Sequence, residues 1–268
     1  MGVGNIGEKT RLSRLINEKG YSFFLALDQG LEHGPSDFNE ENVNPDFVIK
    51  TAVKAKYNGM ILQKGGILDF FSPYVGKVPL IVKLNGRTNF DKKKNDYYST
   101  QITSVKDAVK WGADAVGYTI YPGSKSESKM IKEFSKIESE SRDYGLPVIL
   151  WMYPRPKTSE VEKIKYAARI GMELGADFVK TYYTGNKKSF NEVVKNAPGT
   201  RILASGGSKE KTPLQLIKKM IDIRDSGAHG IAVGRNVWQS KTPVKTAILI
   251  KKIFNKKLNQ SQALKLLK

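Results

Sequence analysis

Eight short apolar runs alternate with helical stretches along the 268 residues, and this alternation constrains the fold more than any other feature. The runs are Ser22–Asp28, Gly59–Gln63, Pro79–Asn85, Asp114–Ile120, Pro147–Met152, Asp177–Thr181, Arg201–Ser205 and His229–Val233. Between them lie segments with apolar residues at helical spacing, such as PDFVIKTAVKAKY, SVKDAVKWG, SEVEKIKYAARIGMELG and TPLQLIKKMIDIRDSG. Three such segments end in Gly-Ala just before the next run, at Gly112, Gly175 and Gly227. Glycine there suits the turn that ends a helix and returns the chain to a sheet. Continuous apolar strands alternating with helices predict a parallel sheet covered by helices. Eight such units in this length predict the α/β class and a (β/α)8 TIM barrel, one domain over residues 1–268. Residues 1–20 read as an N-terminal helical extension and residues 255–268 as a basic C-terminal helical tail. A doubly wound open sheet is the competing architecture, but its G-x-G-x-x-G turn is missing after the first run.

Composition removes several chemistries. The chain has no cysteine, so disulfides, thiolate zinc sites and cysteine nucleophiles are excluded. Only two histidines exist, His33 and His229, so a three-histidine metal site is impossible. No G-x-S-x-G elbow is present to support a serine nucleophile. The expectation is chemistry without a metal or other cofactor. No apolar run approaches the roughly 18–20 residues that span a bilayer, and the N-terminus lacks the apolar stretch of a signal peptide. The expected setting is cytoplasmic, with no membrane partner. The net charge of +19 attracts anions, either nucleic acid or phosphorylated metabolites. It is carried almost wholly by lysine, scattered apart from clusters at DKKKND and KKIFNKK, and no nucleic-acid-binding motif accompanies it. A solvated lysine surface, with no nucleic-acid partner, is the expectation.

A barrel carries its chemistry at the C-terminal ends of its strands, and here those ends are polar. The first run ends LDQGLEHG, with Asp28, Gln29, Glu32 and His33. The second ends in Gln63-Lys64, the third in Lys83 and Asn85, and the fifth in WMYPRP, with Trp151, Tyr153 and Arg155. The seventh and eighth end ASGGSKEK and AVGRN. Glycine-rich turns after the last two strands form the usual phosphate cradle of this fold. Backbone N–H groups at Gly206, Gly207, Gly234 and Arg235 are the expected anion donors, and the Arg235 guanidinium adds a charged fork.

Lys180, near the end of the sixth run, is the residue hardest to explain structurally. A buried ammonium is costly unless it is paired or the site needs it neutral. One reading is an ion pair to a carboxylate such as Asp28; the other is a Schiff-base nucleophile, with its pKa lowered by burial and by nearby cations. Tyr153 and Asp28, at facing strand ends, are candidates for proton transfer and iminium stabilisation. Trp151 reads as packing more than chemistry. It joins Gln29, Thr181 and Tyr182 as candidate substrate contacts.

The ordered set ALDQGLEHGP, KLNG, GYTIYPGS, WMYPRP, VKTYYTGN, SGGSKEKT and VGRNVWQ resembles the archaeal-type class I fructose-bisphosphate aldolases of the DeoC/LacD-like, or DhnA, aldolase family. The resemblance runs from about Gly20 to Lys251. It implies a (β/α)8 barrel that cleaves fructose 1,6-bisphosphate reversibly to dihydroxyacetone phosphate and glyceraldehyde 3-phosphate. It implies Lys180 as the iminium lysine, Tyr153 as the acid-base residue and Asp28 as a substrate and iminium contact. It implies Ser205, Gly206, Gly207, Gly234 and Arg235 around the phosphate of the dihydroxyacetone half, with His33, Asp37, Lys64 and Arg155 toward the other phosphate. A homo-oligomer, a decamer of two pentamers, is implied as well. Gln29 departs from the family pattern, which has histidine after the first-strand aspartate. Relatives that share the lysine and the cradle include amino-dideoxy-heptulosonate synthases and enzymes acting on phosphorylated autoinducer-2. EHGPSDF and GYTIYPGS match the bisphosphate aldolases better. A basic nucleic-acid-binding protein is the remaining alternative, and it would need neither Lys180 nor Tyr153.

Overall fold

The computed structural model describes residues 5–90 and 97–267, so the lysine cluster within 91–96 lies outside the described residues. Eight parallel strands close into a barrel in sequence order. They are β1 (Ser22–Leu27), β2 (Gly59–Leu62), β3 (Leu80–Lys83), β4 (Ala115–Ile120), β5 (Val148–Met152), β6 (Phe178–Thr181), β7 (Arg201–Ser205) and β8 (Gly230–Val233). Closure pairs β1 with β8, with Ser22 opposite Gly230 and Leu25 opposite Val233. Each expected apolar run contains one strand, and none is lost. The third run differs at its end: Asn85 leaves the barrel and pairs with Gln101 in a small antiparallel ribbon.

Helices Pro45–Lys54, Lys64–Phe70, Val105–Lys110, Glu127–Asp143, Val161–Glu173, Lys187–Lys195, Pro213–Asp225 and Pro243–Asn255 follow strands β1 to β8 in turn. The glycines expected at helix ends take positive φ, 73° at Gly112, 82° at Gly175 and 83° at Gly227, a region that residues with a Cβ enter only at a cost. Helix Pro213–Asp225 starts with a capping box between Thr212 and Gln215. Among the described residues no helix is long and apolar enough to cross a membrane.

Two apolar layers result from the strand alternation. One side of each strand packs against the helices, as Phe23, Leu25, Val116 and Tyr118 do. The other side fills the barrel with Phe24, Ala26, Ile61, Ile81, Ala115, Ile149, Phe178, Leu203 and Ala232. Leu15, from helix Ile6–Leu15, belongs to this inner cluster and is fully buried, with Leu12 and Ile16 beside it. The N-terminal extension is therefore the plug of the barrel floor. Two carboxylates at the starts of strands fasten it. Asp114 accepts from Leu80 N at 3.0 Å and pairs with Arg14 at 2.5 Å. Asp177 accepts from Val148 N at 2.7 Å and pairs with Arg142, which also holds Glu8 of the plug at 2.8 Å.

Leu15→Ala removes an interior side chain that the floor cannot readily refill. We expect a loss of about 3 kcal/mol in unfolding free energy, read as a lower urea midpoint at unchanged slope.

Candidate active site

The inward positions of the strands define the site by simple counting. Two residues beyond the apolar interior, the same inward columns reach Asp28 on β1, Gln63 on β2, Lys83 on β3, Tyr153 on β5, Lys180 on β6, Ser205 on β7 and Gly234 on β8. All seven line one cavity of about 400 Å³ at the C-terminal mouth of the barrel. The apolar filling gives way there to a polar layer, and the cavity rests on Trp151 and Ala26. A hollow of about 560 Å³ beside helix Pro243–Asn255 holds aliphatic side chains, Thr242 and two lysines, with no carboxylate, tyrosine or histidine to do acid-base work.

Lys180 is only 6% exposed and makes no ion pair among the described residues. Its Nζ lies 5.2 Å from the Trp151 ring centroid. Burial pushes its pKa down, while the charges of Asp28 and Glu32 act in the opposite sense. The ion-paired alternative is therefore not realised: Asp28 acts on Lys180 through the field, without a salt bridge. Tyr153 stacks on Tyr182 with centroids 4.7 Å apart, and burial raises its phenol well above the ordinary value. Tyr182 accepts from Arg155 at 2.8 Å, which anchors the stack; burial raises its phenol to about 12.

Trp151 does more than pack. Its indole lies across Gly117 of β4, where a Cβ would come within 2.0 Å of the ring. Its Nε1 is buried with no partner among the described residues, although Trp151 lines the cavity. Gln29 also lines the cavity, with a buried, unpartnered Nε2.

The two glycine-rich turns meet at one side of the mouth. Gly207 has φ 71°, and Asn236 Nδ2 donates to both Gly206 O and Ser208 O at 2.9 Å, fixing the turn. The expected donor role of Gly206 is corrected: its N–H is already given to Ala232 O at 3.0 Å. Gly206 is needed for space instead, since a Cβ would come within 3.0 Å of the Val233 backbone. Gly234 likewise brings the chain close to Ala26 O.

Four other expectations are redrawn. Asp37 binds His33 Nδ1 at 2.7 Å and Arg235 Nη1 at 3.3 Å, so His33 and Asp37 stand beside the cradle and not across from it. Asp37 itself is behind the wall, holding the His33 and Arg235 side chains in place. Lys64 is exposed at the start of helix Lys64–Phe70 and does not line the cavity, because its strand turns outward after Gln63. Thr181 points the opposite way from Lys180, as strand alternation requires, and its hydroxyl donates to Met152 O at 2.9 Å.

The opposite side of the mouth holds Arg155, as expected, together with Arg87, Lys157, Tyr97 and Tyr121, which sequence reasoning passed over. Arg155 lies over Tyr121 at 4.3 Å and Tyr97 at 4.7 Å, and Arg87 lies over Tyr97 at 4.7 Å. Neither arginine has a carboxylate partner among the described residues, and Lys157 lines the same side. Glu32 accepts from Tyr121 Oη at 2.5 Å. Arg87 follows the ribbon rather than a barrel strand, so counting along strands gave no signal for it. No group of three or more His, Cys, Asp or Glu among the described residues is arranged to hold a metal.

Comparison with known proteins places this geometry. The sequence profile described as DeoC/LacD family aldolase matches residues 23–240. The class 1 fructose-bisphosphate aldolase of Thermoproteus tenax is 42% identical over 251 residues, covering 91% of this chain and 93% of the relative. That of Halobacterium salinarum is 40% identical over 236 residues, covering 85% and 88%. A solved archaeal fructose-1,6-bisphosphate aldolase, with its catalytic lysine covalently bound to the carbinolamine intermediate of the substrate, superposes with a TM-score of 0.86. It is 39% identical and the match covers 92% of this chain and 99% of that one.

Gly117→Ala tests the seat of the indole. The added methyl has no room, so we expect a displaced Trp151, seen as altered tryptophan fluorescence, with a loss of about 2 kcal/mol in stability. Unchanged fluorescence and stability would contradict the placement.

Proposed function

The chain belongs to the DeoC/LacD family of aldolases, and from that membership we propose that it is a class I fructose-1,6-bisphosphate aldolase. It cleaves the sugar reversibly to dihydroxyacetone phosphate and glyceraldehyde 3-phosphate through a Schiff base on Lys180. The observation that carries the reading is Lys180 itself: buried, without an ion pair, its pKa lowered, and at the mouth of a barrel shared with Schiff-base aldolases.

The proposed chemistry follows from the positions. The neutral Lys180 amine attacks the ketone carbon, and the carbonyl oxygen takes up a proton to give a carbinolamine. Loss of that hydroxyl as water, after a further proton is delivered, leaves a cationic iminium. The iminium draws the electrons of the adjacent carbon–carbon bond as the C4 hydroxyl loses its proton. The aldehyde departs, and an enamine of dihydroxyacetone phosphate remains. Protonation at carbon and addition of water then release the second product and the free amine. The iminium is the electron sink, so this route needs no metal.

Tyr153 is the proposed proton carrier, since its phenol lies within the same cavity and burial keeps it protonated until a base is generated beside it. Asp28 stabilises the iminium charge across the mouth. Ser205, Gly207, Gly234 and Arg235 hold the phosphate of the dihydroxyacetone half, with His33 alongside. Arg155, Arg87 and Lys157 receive the other phosphate. Trp151 Nε1 and Gln29 Nε2 are buried donors available to the hydroxyls between. A cytoplasmic homo-oligomer completes the reading, on the strength of the family resemblance.

Incubation with dihydroxyacetone phosphate and borohydride should place a reduced adduct on Lys180, located by peptide mass spectrometry. Lys180→Met should abolish both adduct and cleavage; an adduct elsewhere, or none, overturns the assignment. Because the neutral amine reacts and its pKa lies below the ordinary 10.5, adduct formation should persist below the usual lysine range and fall only as pH drops through the lowered value.

Tyr153→Phe should leave substrate binding near normal and reduce the rate of cleavage by about 100-fold or more. Arg235→Ala should raise KM by about tenfold or more with a smaller effect on kcat, in steady-state assays of cleavage.

A further inference from the structure

Tyr182 lines the cavity, and the steps above give it no part. It lies two residues past Lys180, as Tyr153 lies two residues past Trp151, and β5 and β6 pair Trp151 with Lys180. The two tyrosines therefore continue one cross-strand column into the mouth. Their rings stack with centroids 4.7 Å apart and 23° between the planes. The cations of the far side reach the same ring. Arg155 Nη1 donates to Tyr182 Oη at 2.8 Å, and Lys157 Nζ lies 5.7 Å from the Tyr182 centroid. The proposed proton carrier and two cations proposed for the far phosphate thus share one side chain as neighbour.

Arg155 is held along one side only. Among the described residues its hydrogen bonds all leave from Nη1, to Tyr153 O at 3.2 Å, Pro154 O at 3.1 Å and Tyr182 Oη. Three acceptors compete there for the two hydrogens of one nitrogen. Nε and Nη2 donate to none of the described residues. Together they form an edge that can take a phosphate through two parallel bonds. The guanidinium rests on the rings of Tyr121 and Tyr97, so it is supported without a counter-ion. A guanidinium keeps its proton at any ordinary pH, so its bond to Tyr182 transmits position and not a proton.

We infer that Tyr182 is a positioning residue that couples the far phosphate to proton transfer. A phosphate on the free edge of Arg155 fixes the guanidinium, Nη1 fixes the Tyr182 hydroxyl, and the stacked ring sets the angle of Tyr153. Binding energy from a part of the substrate that does not react is thereby used at the reacting carbon. The inference rests on the aldolase reading and on its placement of the far phosphate at Arg155.

Dihydroxyacetone phosphate alone isolates the step, because it leaves the Arg155 end of the site open. Tyr153 gives its proton to the departing water as the iminium forms. The resulting phenolate takes a proton from the hydroxymethyl carbon, leaving the enamine. In ²H₂O the returning proton is replaced by a deuteron, and NMR reads the label at that carbon. Inorganic phosphite serves as the detached far phosphate. In the wild type, saturating phosphite should speed the exchange by about tenfold. In Tyr182→Phe, which keeps the ring, the acceleration should fall below about twofold, with the KM for dihydroxyacetone phosphate changed by less than about twofold. A wild type that phosphite does not accelerate overturns the inference. So does a variant whose exchange is slower but whose response to phosphite is intact, since Tyr182 would then only pack. Absence of both exchange and the borohydride adduct in the wild type sinks the aldolase reading instead. Should Tyr182→Phe fail to fold, NMR of wild-type protein labelled at the tyrosine Cζ decides: phosphite should shift the signals of Tyr182 and Tyr153 together, and a shift of Tyr182 alone, or of neither, overturns the inference.

Discussion

An amine held out of water without a counter-ion is the condition on which the rest of this structure depends. Lys180 meets it because the barrel is closed and filled beneath the site. Apolar side chains occupy the inward positions below it, and Leu15 stops the floor. Desolvation alone disfavours the ammonium form. The carboxylates of Asp28 and Glu32 are near enough to be felt but make no ion pair with it. The indole of Trp151 presents a flat apolar surface in place of a hydrogen-bonding neighbour. Each arrangement makes sense as protection of a base that, in the proposed mechanism, has to be neutral to react.

Much of this was legible in the sequence, for a clear reason. A closed barrel converts chain position into spatial position at a fixed rate. Knowing that Phe178 is interior is enough to place Lys180 at the mouth, because side chains repeat every second residue. The same counting found Asp28, Tyr153, Ser205 and Gly234, all on the cavity wall. It also shows why Thr181 was misplaced: a neighbour of the key residue in sequence must face the other way.

The rest was not legible because it depends on how loops return over the mouth. Asp37 follows β1 and Arg235 follows β8, and no pattern within either segment announces that they meet. Arg87 comes after a ribbon whose pairing of Asn85 with Gln101 is non-local. Lys64 was expected inside because it follows a strand directly, but one step past Gln63 the backbone has turned into a helix. Gly206 was read as a donor from its type alone, whereas the neighbouring strand had already claimed its N–H. Donors can be named from sequence; whether they are still free is a property of packing.

The pairing of β1 with β8 has a consequence for how the molecule comes into being. Ser22 must find Gly230, more than three-quarters of the chain away. During synthesis the first strand emerges early and presents an open edge until the last one follows, and sheets rich in such distant pairings form slowly. An unfinished sheet also leaves its interior columns wet, so an amine at the position of Lys180 would keep an ordinary proton. In the proposed mechanism, the reactive form of that amine is therefore acquired in the same event that seals the barrel.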